Sequence, residues 1–197
     1  MDGSNADSTA VADDPKIVQY GIVVTFVVPH NPDWKSAFSE ESAAITVAFQ
    51  GSAIEIHHIG STAIPGVLAK PIIDLLSVVT SLADVDENSG SLEALGYEVM
   101  GAYGIEGRRY FRKTNYAGTR THHLHIFEVG SLHVERHLAF RDYLIAHPSV
   151  SAEYSLLKES LTSDEGSSCD NYLNGKDPFI SDVEQQAVDW FRTQTQK

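Results

Sequence analysis

The sequence predicts one domain of the α/β (α+β) class, in which a mixed β-sheet has flanking helices and the C-terminal third is helical. Short β-branched and apolar runs, bounded by turn residues, recur through the first two thirds of the chain. One of them, residues 72–79, is nearly continuously apolar, which is typical of a central strand. From Val134 onward, apolar residues recur at helical spacing instead.

The N-terminal region is expected to contain a tail, a strand and a helix. Residues 1–15 are polar and acidic, so we predict a disordered tail there and assign residues 16–197 to the domain. Residues 17–28 are β-branched and apolar, which predicts a strand. Asn31–Asp33 should open a helix. Its apolar residues at helical spacing are Trp34, Phe38, Ile45 and Phe49.

The middle of the chain should supply the rest of the sheet. Residues 53–58 are predicted to form a strand that leads into a Gly-Ser turn, and residues 72–79 form the next strand. A broken helix over residues 82–95 should end at Gly96. Further strands are predicted in three short runs: Tyr97–Met100, Arg108–Lys113 and His123–Glu128.

The last third should pack its helices through apolar side chains. Pro148 is expected to end one helix, and residues 162–171 are polar enough to form a loop. The predicted core positions are Leu138, Ile145, Leu156, Leu157, Leu161, Val183, Ala187 and Trp190.

Composition restricts the classes of partner. The 197 residues carry a formal net charge of -13, which disfavours extended nucleic acid and anionic membranes as partners. A small phosphorylated substrate is still compatible with this net charge, because cationic side chains or a metal ion at the binding site can make the local electrostatic potential positive. No apolar run is long enough for a membrane span, and the N-terminus does not read as a secretory signal. With a single cysteine, Cys169, the expected location is the cytoplasm.

The stretch from His57 to Val79 holds the first candidate site. Gly60 and Ser61 follow a short apolar run, and a Gly- and Pro-rich loop leads to an apolar strand that carries one acid, Asp74. Backbone donors and a hydroxyl in a turn, followed by a carboxylate, suit a phosphate-bearing ligand beside a divalent metal ion. The alternative is a turn between two core strands with Asp74 as a strand-end acid.

Six segments, in this order, make the chain resemble the GrpB family, which is similar to the nucleotidyltransferase superfamily. The resemblance runs from about Val28 to Phe191 and implies an α/β core like that of the nucleotidyltransferases. The segments are EIHHIGSTAIPGVLAKPIIDLL (55–76), GIEGRRYFRK (104–113), THHLHIFEVGS (121–131), HLAFRDYLIAHP (137–148), YSLLK (154–158) and YLNGKDPFI (172–180).

The resemblance implies a metal-binding strand, from which this chain departs. Superfamily members place two acids one residue apart on this strand, and a third acid nearby, to hold two magnesium ions. Here Ile72 and Leu76 stand two residues either side of Asp74, so the acidic pair is missing. One carboxylate holds Mg²⁺ or Mn²⁺, the expected cofactor, poorly. Glu55 and Glu128 are the candidates for a second oxygen ligand.

A second candidate cluster lies in the sequence THHLHIFE. Side chains alternate along a strand, so His123 and His125 should share one face and His122 should point away. The pair could bind a transition metal or act as acid and base. The third ligand would be His57, His58 or Asp74. The alternative is a hydrogen-bonded core histidine among surface histidines.

Cationic residues offer phosphate contacts. Arg108 and Arg109 should face opposite ways on their strand; the family resemblance favours Arg109 as the ligand contact, and Arg108 is expected to be a solvated surface cation. Lys70, just before the Asp74 strand, could contribute a point charge. The resemblance makes Lys176 a further candidate.

Two spacings in the candidate regions suit structure better than chemistry. Tyr154–Lys158 and Tyr172–Lys176 are pairs with a spacing of four, which helix packing or surface pairing explains.

Ser61 as a nucleophile would need a base such as His58 or a strand histidine. Its GSTA context is not a nucleophile elbow, so we interpret Ser61 as a phosphate-binding hydroxyl.

Three hypotheses for function remain. The first is a small-molecule enzyme with a nucleotidyltransferase-like site that acts on a nucleotide or phosphorylated metabolite with a divalent metal. The second is a metal-independent enzyme for hydrolysis, cyclisation or isomerisation, with Asp74, His123 and His125 as acid and base. The third is a non-catalytic ligand-binding module. An acid close to Asp74 would favour the first, and histidines alone would favour the second.

Overall fold

The computed structural model describes residues 27–49, 53–163 and 169–195. The predicted acidic tail lies outside these ranges, and so does most of the predicted strand over residues 17–28. The described residues form eleven α-helices and β-strands: α1 (Asp33–Ala48), β1 (Ala53–Ile59), β2 (Ile73–Val79), α2 (Leu82–Glu87), α3 (Ser89–Ala94), β3 (Tyr97–Val99), β4 (Arg108–Thr114), β5 (Arg120–Glu128), α4 (Leu132–Ala146), α5 (Pro148–Ser163) and α6 (Cys169–Thr195).

The five strands form one mixed sheet in the order β1-β2-β5-β4-β3. Strands β2 and β5 are parallel, and the other neighbouring pairs are antiparallel. Strand β2 lies between β1 and β5, as its continuous apolar sequence predicts. The parallel register sets Asp74 opposite His123 and Leu76 opposite His125, so two distant segments of the chain meet side by side.

The two faces of this sheet differ in what covers them. On the face that we call the core face, Leu75 and Leu124 belong to the main apolar cluster, which also includes side chains of α1, α2 and α3. The alternate residues of the same strands point to the opposite face, called the site face here. Leu76 and Phe127 pack there against side chains of α4.

The C-terminal helices cover the loop between β1 and β2. Ile64 and Val67 from that loop are buried with Leu144 of α4, Tyr154 of α5 and Val183 of α6. The loop also contains a short 3₁₀ turn, Ser61–Ala63, directly after Gly60. The helical third therefore closes over the Gly-Ser turn and brings its own polar side chains to it.

Most of the predicted elements are confirmed, including the helix after Asn31, the broken helix before Gly96 and the strands around the two candidate clusters. Helix α4 ends at Ala146, and Pro148 opens α5 at a position where its missing N–H costs nothing. None of the described helices combines the length and the apolar composition needed to cross a bilayer.

Three predictions for the helical third are wrong. Ile145 is 46% exposed and Leu156 is 64% exposed, because the buried stripes of α4 and α5 are formed by other residues. The predicted loop over residues 162–171 is helical at both ends, since α5 continues to Ser163 and α6 starts at Cys169. The hydroxyl of Thr162 donates to the carbonyl oxygen of Lys158, which supports the end of α5.

Candidate functional site

Asp74 lies near the start of β2, on the site face of the sheet. Its pairing partner on β1 is Ile59, and the chain turns at Gly60 immediately afterwards. Gly60 has a φ of 69°, and a Cβ atom at this position would collide with Oδ2 of Asp74. Only glycine allows the turn to approach the carboxylate this closely.

Asp74, His123 and His125 form one cluster. Nδ1 of His123 lies 3.0 Å from Oδ1 of Asp74. One ligand atom from each of the three residues lies within 4.8 Å of the others. The neighbouring His122 points to the core face, where its Nε2 atom lies 3.9 Å from Oε2 of Glu41. The prediction that His123 and His125 share a face, and that His122 does not, is confirmed.

The structure selects Asp74 from the three candidates for the third group beside the histidine pair. His57 makes a hydrogen bond of 2.7 Å to Glu55 instead. His58 stacks on Phe38, with 4.8 Å between ring centroids, and its Nε2 lies 3.0 Å from the Thr62 hydroxyl. Burial is the main cause that lowers the pKa of His58 to about 4.

The two acids considered as partners of Asp74 lie elsewhere. Glu55 is 60% exposed and is bonded to His57. The carboxylate of Glu128 accepts a hydrogen bond from the backbone N–H of Leu82. Within the described residues, the ligand cluster at Asp74 consists of two imidazoles and one carboxylate. Histidines without a second acid disfavour a Mg²⁺ site, which prefers oxygen atoms, and by the criterion above favour acid–base chemistry. The same donor set also suits a transition metal.

The charge states at neutral pH favour metal binding. Burial by itself would raise the pKa of the Asp74 carboxyl, but the hydrogen bond from His123 and the positive charges of neighbours hold it below its ordinary value. Burial lowers the pKa of His125 to about 3, and His137 and Arg108 add to this effect against the opposing Asp74. An ionised carboxylate beside a neutral imidazole is the protonation state that a metal ion requires.

Arg108 and Arg109 lie on the opposite faces of the sheet to those predicted. Arg108 is only 7% exposed, and its Nη1 lies 3.5 Å from Nδ1 of His125 on the site face. The carbonyl oxygens of Ala102 and Tyr103 accept hydrogen bonds from the same guanidinium. Arg109 points to the other face and makes a bidentate ion pair with Asp86. Side chains alternate along β4, so only one of the two arginines can reach His125.

Ser61 has a partner that sequence reasoning missed. Lys158 of α5 is 1% exposed, and its Nζ donates to Oγ of Ser61 at 2.8 Å and to the carbonyl oxygen of Leu68. The same Nζ lies 3.9 Å from the centre of the Tyr154 ring. Burial is the main cause that lowers the pKa of Lys158 to about 7.

The sequence holds a signal that would have found Lys158. The buried positions of α5 are Ser151, Tyr154, Lys158 and Thr162, a spacing of three or four that marks one face of a helix. A lysine on such a face is covered by the fold and is therefore unusual. The burial of Lys158 was not predicted because Tyr154 and Lys158 are four residues apart, a spacing that is equally typical of a pair on the surface of a helix.

Lys70 and Lys176 both lie over the ring of Tyr172. Their Nζ atoms lie 5.2 Å and 4.7 Å from the centre of the buried Tyr172 ring. The charge of Lys176 also contributes to lowering the pKa of both Asp74 and Lys158. Lys176 is therefore close enough to influence both parts of the site electrostatically.

Comparisons with known proteins agree with this architecture. Residues 25–186 match the sequence model of a family described as GrpB protein. UPF0157 protein YqkA of Bacillus subtilis is 43% identical over 164 residues, which are 83% of this chain and 47% of that protein. The chain thus spans about half the length of this relative. The crystal structure of conserved protein GrpB from Enterococcus faecalis superposes with a TM-score of 0.79 at 38% identity, covering 84% of this chain and 98% of that one.

More distant solved structures share the fold alone. A structure of the Cid1 poly(U) polymerase with Mg 3′-dATP bound superposes with a TM-score of 0.50 at 14% identity. The match covers 68% of this chain and 44% of the polymerase. The predicted nucleotidyltransferase-like sheet with a helical C-terminal third is confirmed.

Proposed function

This chain belongs to the GrpB family, and from that premise we propose that it is an enzyme that acts on a small phosphate-bearing metabolite with a divalent transition metal ion. The observation that carries the proposal is the convergence of Asp74, His123 and His125, with one ligand atom from each within 4.8 Å. Two imidazoles and a carboxylate on one face of the sheet suit Zn²⁺, Fe²⁺ or Mn²⁺ better than Mg²⁺.

The three ligands would hold the ion on rigid strands. When bound, such an ion polarises a phosphoryl oxygen or lowers the pKa of a water molecule. Arg108 would support this arrangement by packing, because its guanidinium lies beside the His125 ring and is itself held by two backbone carbonyl oxygens. Groups that fix the orientation of a ligand in this way raise the affinity of a metal site.

The phosphate would lie at the Gly-Ser turn. Gly60 brings the backbone against Asp74, and Ser61 adds a hydroxyl next to it. Lys70 and Lys176 supply positive charge in a chain whose net charge is -13. Arg109 is left out of the proposed site, because it is paired with Asp86 on the core face. A nucleotide is the substrate that the fold class favours, and phosphorylated metabolites form the wider class.

The experiment is a metal titration of chelator-treated protein with Zn²⁺, Mn²⁺ and Mg²⁺, followed by calorimetry and thermal unfolding. We expect Zn²⁺ or Mn²⁺ to stabilise the fold by about 2.7 kcal/mol at a hundredfold excess over the dissociation constant. His123→Ala should abolish the effect. His122→Ala is the matched control, since His122 is the adjacent residue and points to the other face. Equal binding by both variants would overturn the proposed metal site.

A metal-independent acid–base enzyme is the second candidate. It is favoured by the histidine pair around Asp74 and by the separate positions of Glu55 and Glu128. Asp74 would orient His123 through their hydrogen bond, as a carboxylate orients a catalytic imidazole. A panel of nucleotides and phosphorylated metabolites, assayed with and without chelator, separates the two. Turnover that persists in chelator and is lost in Asp74→Asn would support the second candidate.

A further inference from the structure

Ser61 and Lys158 form a hydrogen-bonded pair next to Gly60, which packs against Asp74. We propose that the Ser61 hydroxyl attacks the phosphorus atom of the substrate and that Lys158 takes its proton. This inference rests on the proposed function for the phosphate-bearing substrate, but not for the metal ion.

The hydrogen bonds of Lys158 can be made by a neutral amine if the 2.8 Å contact runs from the Ser61 hydroxyl to Nζ instead of from Nζ to Oγ. Its Nζ lies 2.8 Å from Oγ of Ser61 and within hydrogen-bond distance of the carbonyl oxygen of Leu68. A buried ammonium group normally has a carboxylate partner, because an unpaired charge is costly to remove from water. A neutral amine donates to the Leu68 carbonyl oxygen and accepts from the Ser61 hydroxyl, which satisfies both contacts.

The surroundings of Lys158 supply the proton affinity that a base needs near neutral pH. Burial is the largest cause that lowers its pKa to about 7, the charge of Lys176 adds to the lowering, and Asp74 opposes it. Tyr154, on the same helix, presents its ring to the amine. With this pKa, a large fraction of the lysine is deprotonated at neutral pH, as a general base must be.

The location of Ser61 gives it access to a substrate. Ser61 is half-buried as a residue, whereas Lys158 is buried, so a ligand at the turn would meet Ser61 before it could meet the amine. Ser61 follows Gly60, which packs against the Asp74 carboxylate, so the pair and the proposed metal ligands belong to one site. His58 is not the base, since its Nε2 is bonded to the Thr62 hydroxyl.

The chemistry of the step is a double displacement at phosphorus. The Ser61 Oγ–P bond forms as the bond from phosphorus to the leaving-group oxygen breaks, and the leaving group departs with the electron pair. The serine proton moves to Lys158 Nζ. Water then attacks the phosphoserine, the Oγ–P bond breaks, and Lys158 returns the proton to Oγ while solvent takes the proton of water. Splitting one displacement into two is the general advantage of a covalent nucleophile.

The test uses an alkyl fluorophosphonate, an electrophile at phosphorus that needs no metal ion. In chelator-treated full-length protein, we expect a single adduct on Ser61, with loss of fluoride, located by peptide mass spectrometry. Ser61→Ala should remove the adduct. Ser160→Ala is the matched control, because Ser160 is an exposed serine on the same helix as Lys158. Absence of an adduct on Ser61 in the folded protein would overturn the inference.

The role of Lys158 is tested by variant and by pH. Lys158→Met should slow the labelling by about 100-fold or more, the usual contribution of a general base. In the unaltered protein, the labelling rate should rise with pH and level off above about 7. A tenfold rise per pH unit that continues above pH 9 would contradict a lysine base, even if Lys158→Met failed to fold.

The outcomes for the pair and for the proposed function are separable. Labelling of Ser61 without any metal binding would leave the nucleophile–base pair standing and remove the metal ion from the proposed function. Metal binding that depends on His123, without labelling of Ser61, would have the reverse meaning.

Discussion

The two faces of the sheet use the same strands for different purposes. On the core face, Leu75 and Leu124 are fully buried among apolar side chains of α1, α2 and α3. On the site face, the residues next to them in the chain are Asp74, His123 and His125. Asp74 and His123 are hydrogen-bonded to each other, and His125 lies beside Arg108. The step from Leu75 to Asp74 on β2, or from Leu124 to His123 on β5, therefore leads from an apolar environment to the cluster of possible metal ligands.

The alternation of side chains along each strand separates the residues that stabilise the fold from those of the candidate site. Apolar area buried on the core face stabilises the sheet. The site face instead contains half-buried imidazoles and a buried guanidinium, whose removal from water costs free energy unless they are paired. The first face supports the geometry that the second face needs, so substitutions on the two faces should be distinguishable by experiment.

The largest expected effect comes from the core face. Leu124→Ala should lower the free energy of unfolding by about 2–5 kcal/mol, because it leaves a cavity at the centre of the sheet. Urea denaturation measures this change. If the faces are separate, the folded variant should still bind the metal ion with the affinity of the unaltered protein. A loss of metal binding in a variant that is still folded would break the distinction between the faces.

The next effect concerns pH and belongs to the site face. Burial is the main cause that lowers the pKa of His125 to about 3 and that of His137 to about 4. The unfolded chain binds protons to these groups below about pH 6.5, while the folded chain does not until about pH 3–4. The free energy of unfolding should therefore fall as pH decreases through this window, by about 1 kcal/mol per histidine per pH unit.

Urea denaturation of chelator-treated protein at several pH values between 7 and 4 measures the slope. In His137→Gln the slope should be smaller, since one group that takes up a proton on unfolding is gone. The amide side chain can still donate to the carbonyl oxygen of His133, as His137 does. The same slope in the variant and in the unaltered protein would argue against the stated origin of the acid sensitivity.

The smallest expected effects on stability distinguish Arg108 from its neighbour Arg109. Arg109→Ala should change the free energy of unfolding by less than about 1 kcal/mol, because its ion pair with Asp86 is exposed to solvent. Arg108→Ala should cost about 1–3 kcal/mol, since it removes a buried side chain that donates to the carbonyl oxygens of Ala102 and Tyr103. Arg108→Ala should also weaken metal binding, and Arg109→Ala should not. Equal effects of the two substitutions on metal binding would show that their opposite orientations do not matter.

The sequence predicted those parts of the site that depend on local pattern. Alternation along one strand was enough to place His123 and His125 on one face and His122 on the other, and this is confirmed. Alternation could not show which of Arg108 and Arg109 points to that face. It requires two adjacent side chains to point to opposite faces, but it does not say which side chain points to which face. That direction follows from the pairing of β4 with β5.

The partners of the two candidate residues in the Gly-Ser-to-Asp stretch were decided by tertiary structure. Asp74 meets His123 only because β2 and β5 are parallel neighbours in register, although they are 49 residues apart in the chain. Lys158 meets Ser61 only because α5 covers the loop between β1 and β2, and these two residues are 97 apart. No local pattern carries contacts of this range.

Four features could be predicted from the amino-acid sequence: the family, the order of most elements, the central position of β2 and the face shared by His123 and His125. These depend on side-chain type and on spacing within one segment, which local physical chemistry fixes. The tertiary structure alone decided that Asp74 is the group beside the histidine pair, that Arg108 is buried against His125, and that Lys158 lies behind Ser61. The pKa changes of these groups follow from burial and from neighbouring charges, and both exist only once the chain has folded.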